Sequence, residues 1–208
     1  MTKLTGQQIA AEALDGWVYL LGALRTRIAT KDFADGLAVV NAIAALAAEM
    51  DHHPDLDLRY THVDIRLSSH DVGAVTGRDI RLARRISGLG LSLEGASVSQ
   101  LEFALDTPDQ AAIQPFWAAV LAMTPSGNDL QDPFGALPAV WFQESGSSEP
   151  RQHWHPDVWV DPAQVQPRID AAVAAGGTLV SAEEAPSFWV LADPEGNKVC
   201  LCTWQDRA

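Results

Sequence analysis

Asp51-His52-His53-Pro54-Asp55-Leu56-Asp57-Leu58-Arg59-Tyr60-Thr61-His62-Val63-Asp64-Ile65-Arg66-Leu67-Ser68-Ser69-His70-Asp71 decides how the first half of this 208-residue chain folds. Pro54 has no amide hydrogen and pushes His53 toward an extended conformation, so a helix arriving from the N-terminal side ends near Asp51–His52. Beyond the proline, Leu56 to Tyr60 alternates apolar and polar residues, and so does His62 to Ser68. Val63, Ile65 and Leu67 share one face of the second strand, while His62, Asp64, Arg66, Ser68 and His70 share the other. The stretch therefore reads as a helix end and a strand hairpin bracketed by His52, His53 and His70.

Upstream, Asp32 is placed to cap a helix, with Asp35 in its electropositive first turn. Phe33, Leu37, Val40, Ala44, Ala47 and Met50 follow at helical spacing. Farther back, Gly16–Leu20 and Ala23–Thr30 read as two strands joined near Gly22, after a short helix over Thr5–Leu14. Downstream, Thr76 caps a last helix and Asp79 closes a capping box. Ile80, Ala83 and Ile86 form its apolar stripe, and Gly88 ends it. The order α-β-β-α-β-β-α predicts an antiparallel sheet with helices on one face.

His52 and His53 sit at the negative end of a helix dipole, which favours an imidazolium by a few tenths to ~1 kcal/mol. Asp51 favours the cation as well. Clustered histidines suit acid–base chemistry near neutral pH or a metal. No fourth ligand follows a familiar zinc spacing. Trp17 reads as core or pocket, Asp79 as helix cap or site residue, and His62 as a solvated strand residue.

Asp51-His52-His53-Pro54-Asp55, the strand to Ser69-His70-Asp71, Thr76-Gly77-Arg78-Asp79-Ile80 and Lys31-Asp32-Phe33 together resemble pterin-4a-carbinolamine dehydratases. The resemblance implies a dehydratase needing no cofactor, acting on 4a-hydroxytetrahydropterins to give quinonoid dihydropterin and water. It carries over His52, His53 and His70 as catalytic residues, and Asp51, Pro54, Trp17, Arg78 and Asp79 as pocket residues. It also implies a homo-oligomer, a dimer or tetramer. Ala48, Ala74 and Gly77 depart from common family residues. The chemistry requires a proton delivered to the departing hydroxyl and one removed from ring N5. The expectation is that His53 or His70 exchanges the proton with the hydroxyl while His52 positions the ring.

Charge divides the chain. Residues 1–90 hold ten Lys/Arg and eleven Asp/Glu, whereas residues 91–208 hold four and sixteen, with six of the seven tryptophans. Two domains, 1–90 and 97–208, follow. No cationic cluster for nucleic acid exists, no run of 18 apolar residues suggests a membrane span, and the N-terminus lacks a signal-peptide layout, so a cytoplasmic location is expected. Cys200 and Cys202 fall on one strand face and read as small buried hydrophobes.

In the second half, strands are expected at Val98–Leu105, Ala139–Gln143, Asp157–Val160, Thr178–Ser181, Phe188–Ala192 and Lys198–Trp204. Helices are expected from about Asp109 to Leu121 and from Asp161 to Ala175. Ile113-Gln114-Pro115 recurs as Val165-Gln166-Pro167, which argues for paired βαβββ modules in one curved sheet; the fold class is α+β. Pro115–Leu121, Val140–Gln143, His155–Val160 and Asp193-Pro194-Glu195-Gly196-Asn197 resemble the glyoxalase-like branch of the vicinal-oxygen-chelate superfamily. The positions that bind a divalent metal in some members hold Glu102, Gln143, His155 and Cys200, a set poor in strong ligands. An apolar pocket lined by Trp141, Trp159 and Trp189 is the preferred expectation there; His153 and His155 also read as a solvated loop. Two further readings stand beside the dehydratase: a binding or assembly protein with a degenerate first domain, and a metal-dependent lyase or dioxygenase in the second.

Overall fold

The computed structural model describes residues 2–145, 154–192 and 198–207. Two compact units result: Met1–Ser99 with Val160–Gln164 and Trp204–Ala208, and Gln100–Trp159 with Val165–Thr203.

The first unit holds helix α1 (Gly6–Ala11), strands β1 (Val18–Leu20) and β2 (Ala23–Ala29), helix α2 (Phe33–Met50), strands β3 (Asp55–Leu58) and β4 (His62–Leu67), and helix α3 (Gly77–Ser87). The antiparallel sheet has the order β1-β2-β4-β3. Alternation sets its two faces. Leu24 lies opposite Leu67 and Ile28 opposite Val63, which faces Leu58 on the other side. These residues pack with Val39 and Ile43 of α2 and Ile80 and Ile86 of α3 in one buried core. Each fully buried aliphatic contributes about 1.5–3 kcal/mol. The other face is a charged lattice, with Arg27 paired to Asp64 and Arg66 to Asp55.

Asp32 caps α2 by accepting from the Asp35 amide at 2.8 Å. Gly36 gives β3 room: a Cβ there would meet Leu58 Cδ1 at 2.6 Å. By length and hydropathy α2 passes as a membrane-crossing helix, yet it carries Asp35 and Glu49 and seats Gly36, Val39, Ile43 and Ala47 in the core.

The second unit is one eight-stranded sheet in the order β10-β11-β12-β9-β5-β8-β7-β6. Its first module is β5 (Gln100–Thr107), α4 (Gln110–Leu121), β6 (Thr124–Ser126), β7 (Asp129–Gln131) and β8 (Val140–Glu144). Its second is β9 (Trp154–Trp159), α5 (Pro162–Ala174), β10 (Thr178–Ser181), β11 (Phe188–Ala192) and β12 (Lys198–Cys202). The repeat is real at residue level, because Pro115 and Pro167 each fall inside the helix of their module. Within each module the first and last strands pair in parallel, and β5 joins β9 antiparallel.

Three expectations are corrected here. Residues 124–131, between the helix expected to end at Leu121 and the strand expected from Ala139, form the β6–β7 hairpin, whose turn holds Gly127 at φ 61°. Strand β9 starts three residues earlier than expected, running through Pro156 opposite Phe103, so His155 lies in a strand and not in a loop. Trp189 pairs with Leu201, whereas Cys200 pairs with Val190. Trp189 therefore lies on the face opposite Cys200, and the pocket of three tryptophans does not form. The Asp193–Asn197 turn and His153 lie outside the described residues.

Candidate functional site

Helix α2 stops because Asp51 takes a left-handed conformation, φ 47° and ψ 44°, where its amide donates to the Ala47 and Ala48 carbonyls. Asp tolerates this region better than most residues, though glycine is the usual occupant. The reversal sends His52 inward and leaves His53 exposed, and Pro54 then leads into β3.

His52 is buried, and its Nε2 lies 2.7 Å from Asp79 Oδ1. Asp79 is wholly inaccessible to solvent. Its other oxygen, Oδ2, accepts from the Thr76 amide at 2.7 Å, Ser69 Oγ at 2.8 Å and Thr76 Oγ1 at 3.3 Å. One carboxylate thus caps α3 and holds a histidine 27 residues away. Such charge-assisted bonds are worth about 1.5–3 kcal/mol each. With Nε2 engaged, Nδ1 is the His52 nitrogen left for a ligand.

Ser69, buried and also bonded to Thr76 Oγ1 at 2.8 Å, immediately precedes His70. His70 is 65% exposed, with Nε2 3.7 Å from Asp55 Oδ1. Arg78 pairs with Asp71 on the other side of the same turn, and that guanidinium holds the Asp71 carboxyl below its usual range. The expected residues therefore arrange as a buried His52–Asp79 pair, with His70 following its Ser69 partner and Arg78 preceding Asp79.

Trp17 is the exception. It lies in the hydrophobic core, and its indole donates to Ser87 Oγ at 3.1 Å. It also lines a cavity with Ile9, Leu14 and Leu24, so it stands apart from the His52–Asp79 pair. Ser69 and Thr76 were missed as site residues. Ala48 is exposed on α2, and Ala74 is buried and accepts the Ser69 amide through its carbonyl. A Cβ on Gly77 would meet only Arg81 Nη1 at 3.4 Å.

Residues 2–89 match the family model of pterin 4 alpha carbinolamine dehydratase. A relative from Mycobacterium avium (strain 104) that bears the dehydratase's name is 42% identical over 91 residues, covering 43% of this chain and 97% of its own. The chain belongs to the pterin-4a-carbinolamine dehydratase family. A solved transcriptional coactivator/pterin dehydratase from Brucella melitensis is 30% identical, covering 42% of this chain and 98% of its own, with a TM-score of 0.40. A pterin dehydratase-like protein described as a RuBisCO assembly factor of the alpha-carboxysome is 26% identical, covering 35% and 84%, with a TM-score of 0.30. Residues 102–202 match the model of a glyoxalase-like domain, so the chain joins a dehydratase-family domain to a glyoxalase-like one.

In the glyoxalase-like domain, the four positions tied to a metal do not converge. Glu102 Oε2 accepts from Trp159 Nε1 at 2.7 Å, and Gln143 is exposed on β8 opposite Asp106. His155 and Cys200 do come together, but with Asp157, a residue not singled out beforehand. Its signal was available: His155 and Asp157 stand two apart on one strand and so share a face. The four-residue set does not fit a metal, and no chemistry is routed through it.

Proposed function

We propose that the first domain dehydrates 4a-hydroxytetrahydropterins by histidine acid–base catalysis. The observation that carries this reading is the buried His52–Asp79 pair, with the adjacent His53 and the Ser69-linked His70 both exposed. His52, fixed through Nε2, presents Nδ1 to the pterin ring and positions it. His53 or His70 exchanges the proton with the departing hydroxyl, a role worth about 10²–10⁴-fold. Asp51 turns the chain so that His52 is buried and His53 exposed, Pro54 leads on into β3, and Arg78, paired with Asp71, is proposed to contact the pterin. The C4a–O bond breaks as one exposed histidine gives its proton to the departing oxygen, the other takes the N5 proton as C4a=N5 forms, and with no net oxidation or reduction this mechanism uses no cofactor.

Homo-oligomers are part of the same reading. The outer face of α2 exposes Phe33, Leu37, Ala38, Ala44, Ala45 and Ala48, a surface suited to another copy of the chain. The test is turnover of a freshly formed 4a-hydroxytetrahydropterin by the full-length protein and by its His53→Ala/His70→Ala variant. The wild type is expected to exceed the spontaneous rate and the variant to fall to it. Equal turnover by both sinks the assignment.

A further inference from the structure

We infer that His155, Asp157 and Cys200 form a three-donor site for a zinc-class divalent cation, built within the second module of the glyoxalase-like domain. The imidazole, carboxylate and thiol offer ligand atoms that all lie within 4.8 Å of one another. Register explains why. Cys200 sits directly across the parallel β9–β12 pair from Asp157, and His155 precedes Asp157 by two residues, so all three side chains leave one face of two bonded strands.

The surroundings orient the donors. Trp141 Nε1 donates to Asp157 Oδ2 at 2.9 Å, which turns Oδ1 toward His155 Nε2 at 3.5 Å. On the far side of the ring, His155 Nδ1 lies 4.0 Å from Asp106 Oδ1, a buried oxygen without a hydrogen-bond partner. A carboxylate behind a histidine orients a metal-bound imidazole by accepting its second N–H, and Asp106 stands within reach of that role once the ring shifts by about an ångström. Glu102 lies across β5–β9 from Asp157, so negative charge gathers on this face.

The donor types choose the ion. Mixed nitrogen, oxygen and sulfur ligands favour Zn²⁺ over Mg²⁺ or Ca²⁺. Three protein ligands leave a fourth tetrahedral position open, as in zinc sites that bind water or substrate. Tetrahedral zinc spaces its donors roughly 3.3–3.8 Å apart, so donors now within 4.8 Å of one another close by at most about 1.5 Å on binding. Binding releases the Cys200 proton, so affinity rises with pH. This arrangement uses one module and replaces Glu102 and Gln143 with Asp157.

The test uses the full-length protein, reduced, stripped with chelator and titrated with Co²⁺. A thiolate-to-cobalt charge-transfer band in the near ultraviolet reports this site and is silent to any cobalt held by the histidines of the first domain. The wild type is expected to reach saturation at a single equivalent, with Zn²⁺ displacing the cobalt. Cys200→Ser is expected to abolish the band while keeping the wild-type circular dichroism spectrum. Asp157→Asn is expected to weaken binding by about tenfold or more, and Gln143→Ala and Cys202→Ser to change nothing. Absence of a saturable band in the wild type overturns the proposal, as does survival of the band in Cys200→Ser or its loss in Gln143→Ala. Should Asp157→Asn fail to fold, the other variants still decide.

Discussion

Asp79→Asn separates the two jobs that one carboxylate performs. The native side chain accepts four hydrogen bonds: three at Oδ2, from Thr76 N, Thr76 Oγ1 and Ser69 Oγ, and one at Oδ1, from His52 Nε2. Asparagine offers one oxygen and one NH₂ group. Its oxygen goes where three donors converge, preserving the capping box of α3. Its NH₂ then faces His52 Nε2, which must become an acceptor, so the ring proton moves to Nδ1. The stability lost is the charge assistance of these bonds, about 1–3 kcal/mol in total, because the bonds survive in neutral form. The effect on turnover is larger. In the proposed mechanism the Nδ1 that accepts from the pterin would then donate, and mispositioning of this kind costs about 10²-fold. Denaturant unfolding and dehydration kinetics on the same sample measure both quantities. Asp79→Ala, which removes the acceptor altogether, is expected to cost about 3–5 kcal/mol. Turnover by Asp79→Asn within about threefold of wild type would falsify the tautomer argument.

Asp51→Gly should keep or slightly raise stability, because glycine accepts the left-handed φ of 47° at no steric cost. Loss of turnover in a stable Asp51→Gly protein then marks the Asp51 carboxylate as part of the site, and unchanged turnover marks it as a cap alone. Arg25 is pushed down to about 10 by burial and by neighbouring Arg66, partly offset by Asp55 and Asp64. A cation with a lowered folded value destabilises most below about pH 10, and the penalty fades as pH climbs toward its unfolded value. Arg25→Met should therefore stabilise the protein at neutral pH, on the order of 1–3 kcal/mol; a lower melting temperature contradicts this. The amides of Phe134, Leu137 and Ala136 hold the Asp132 carboxyl below its usual range. The order it lends the loop is full above about pH 3.9 and lost as pH falls through the lower folded value. Amide exchange at Ala136 and Leu137 should accelerate over that window in the wild type and show no such step in Asp132→Asn.

Legibility followed periodicity. Val63, Ile65 and Leu67 alternate cleanly, so their strand and its buried face were readable, and Pro54 marked the helix end. Asp79 was readable as a cap because capping is local, spanning only Thr76 to Asp79. Its bond to His52 spans 27 residues, and no local pattern encodes it. Ser69 escaped notice because a serine beside a strand end has no periodic signature. In the second half, β6 and β7 are three residues each, too short for alternation to register. Trp189 was placed on the wrong face because a strand's register depends on its partners: its pairing with Leu201 turns it away from Trp141 and Trp159.

Histidines around the His52–Asp79 pair are proposed to dehydrate a 4a-hydroxytetrahydropterin. The most direct measurement is the rate at which quinonoid dihydropterin appears from that substrate with full-length protein, with His53→Ala/His70→Ala, and with buffer alone. Acceleration by the wild type and a return to the buffer rate in the folded double variant are expected. A folded wild type no faster than buffer, or a double variant as fast as wild type, contradicts it.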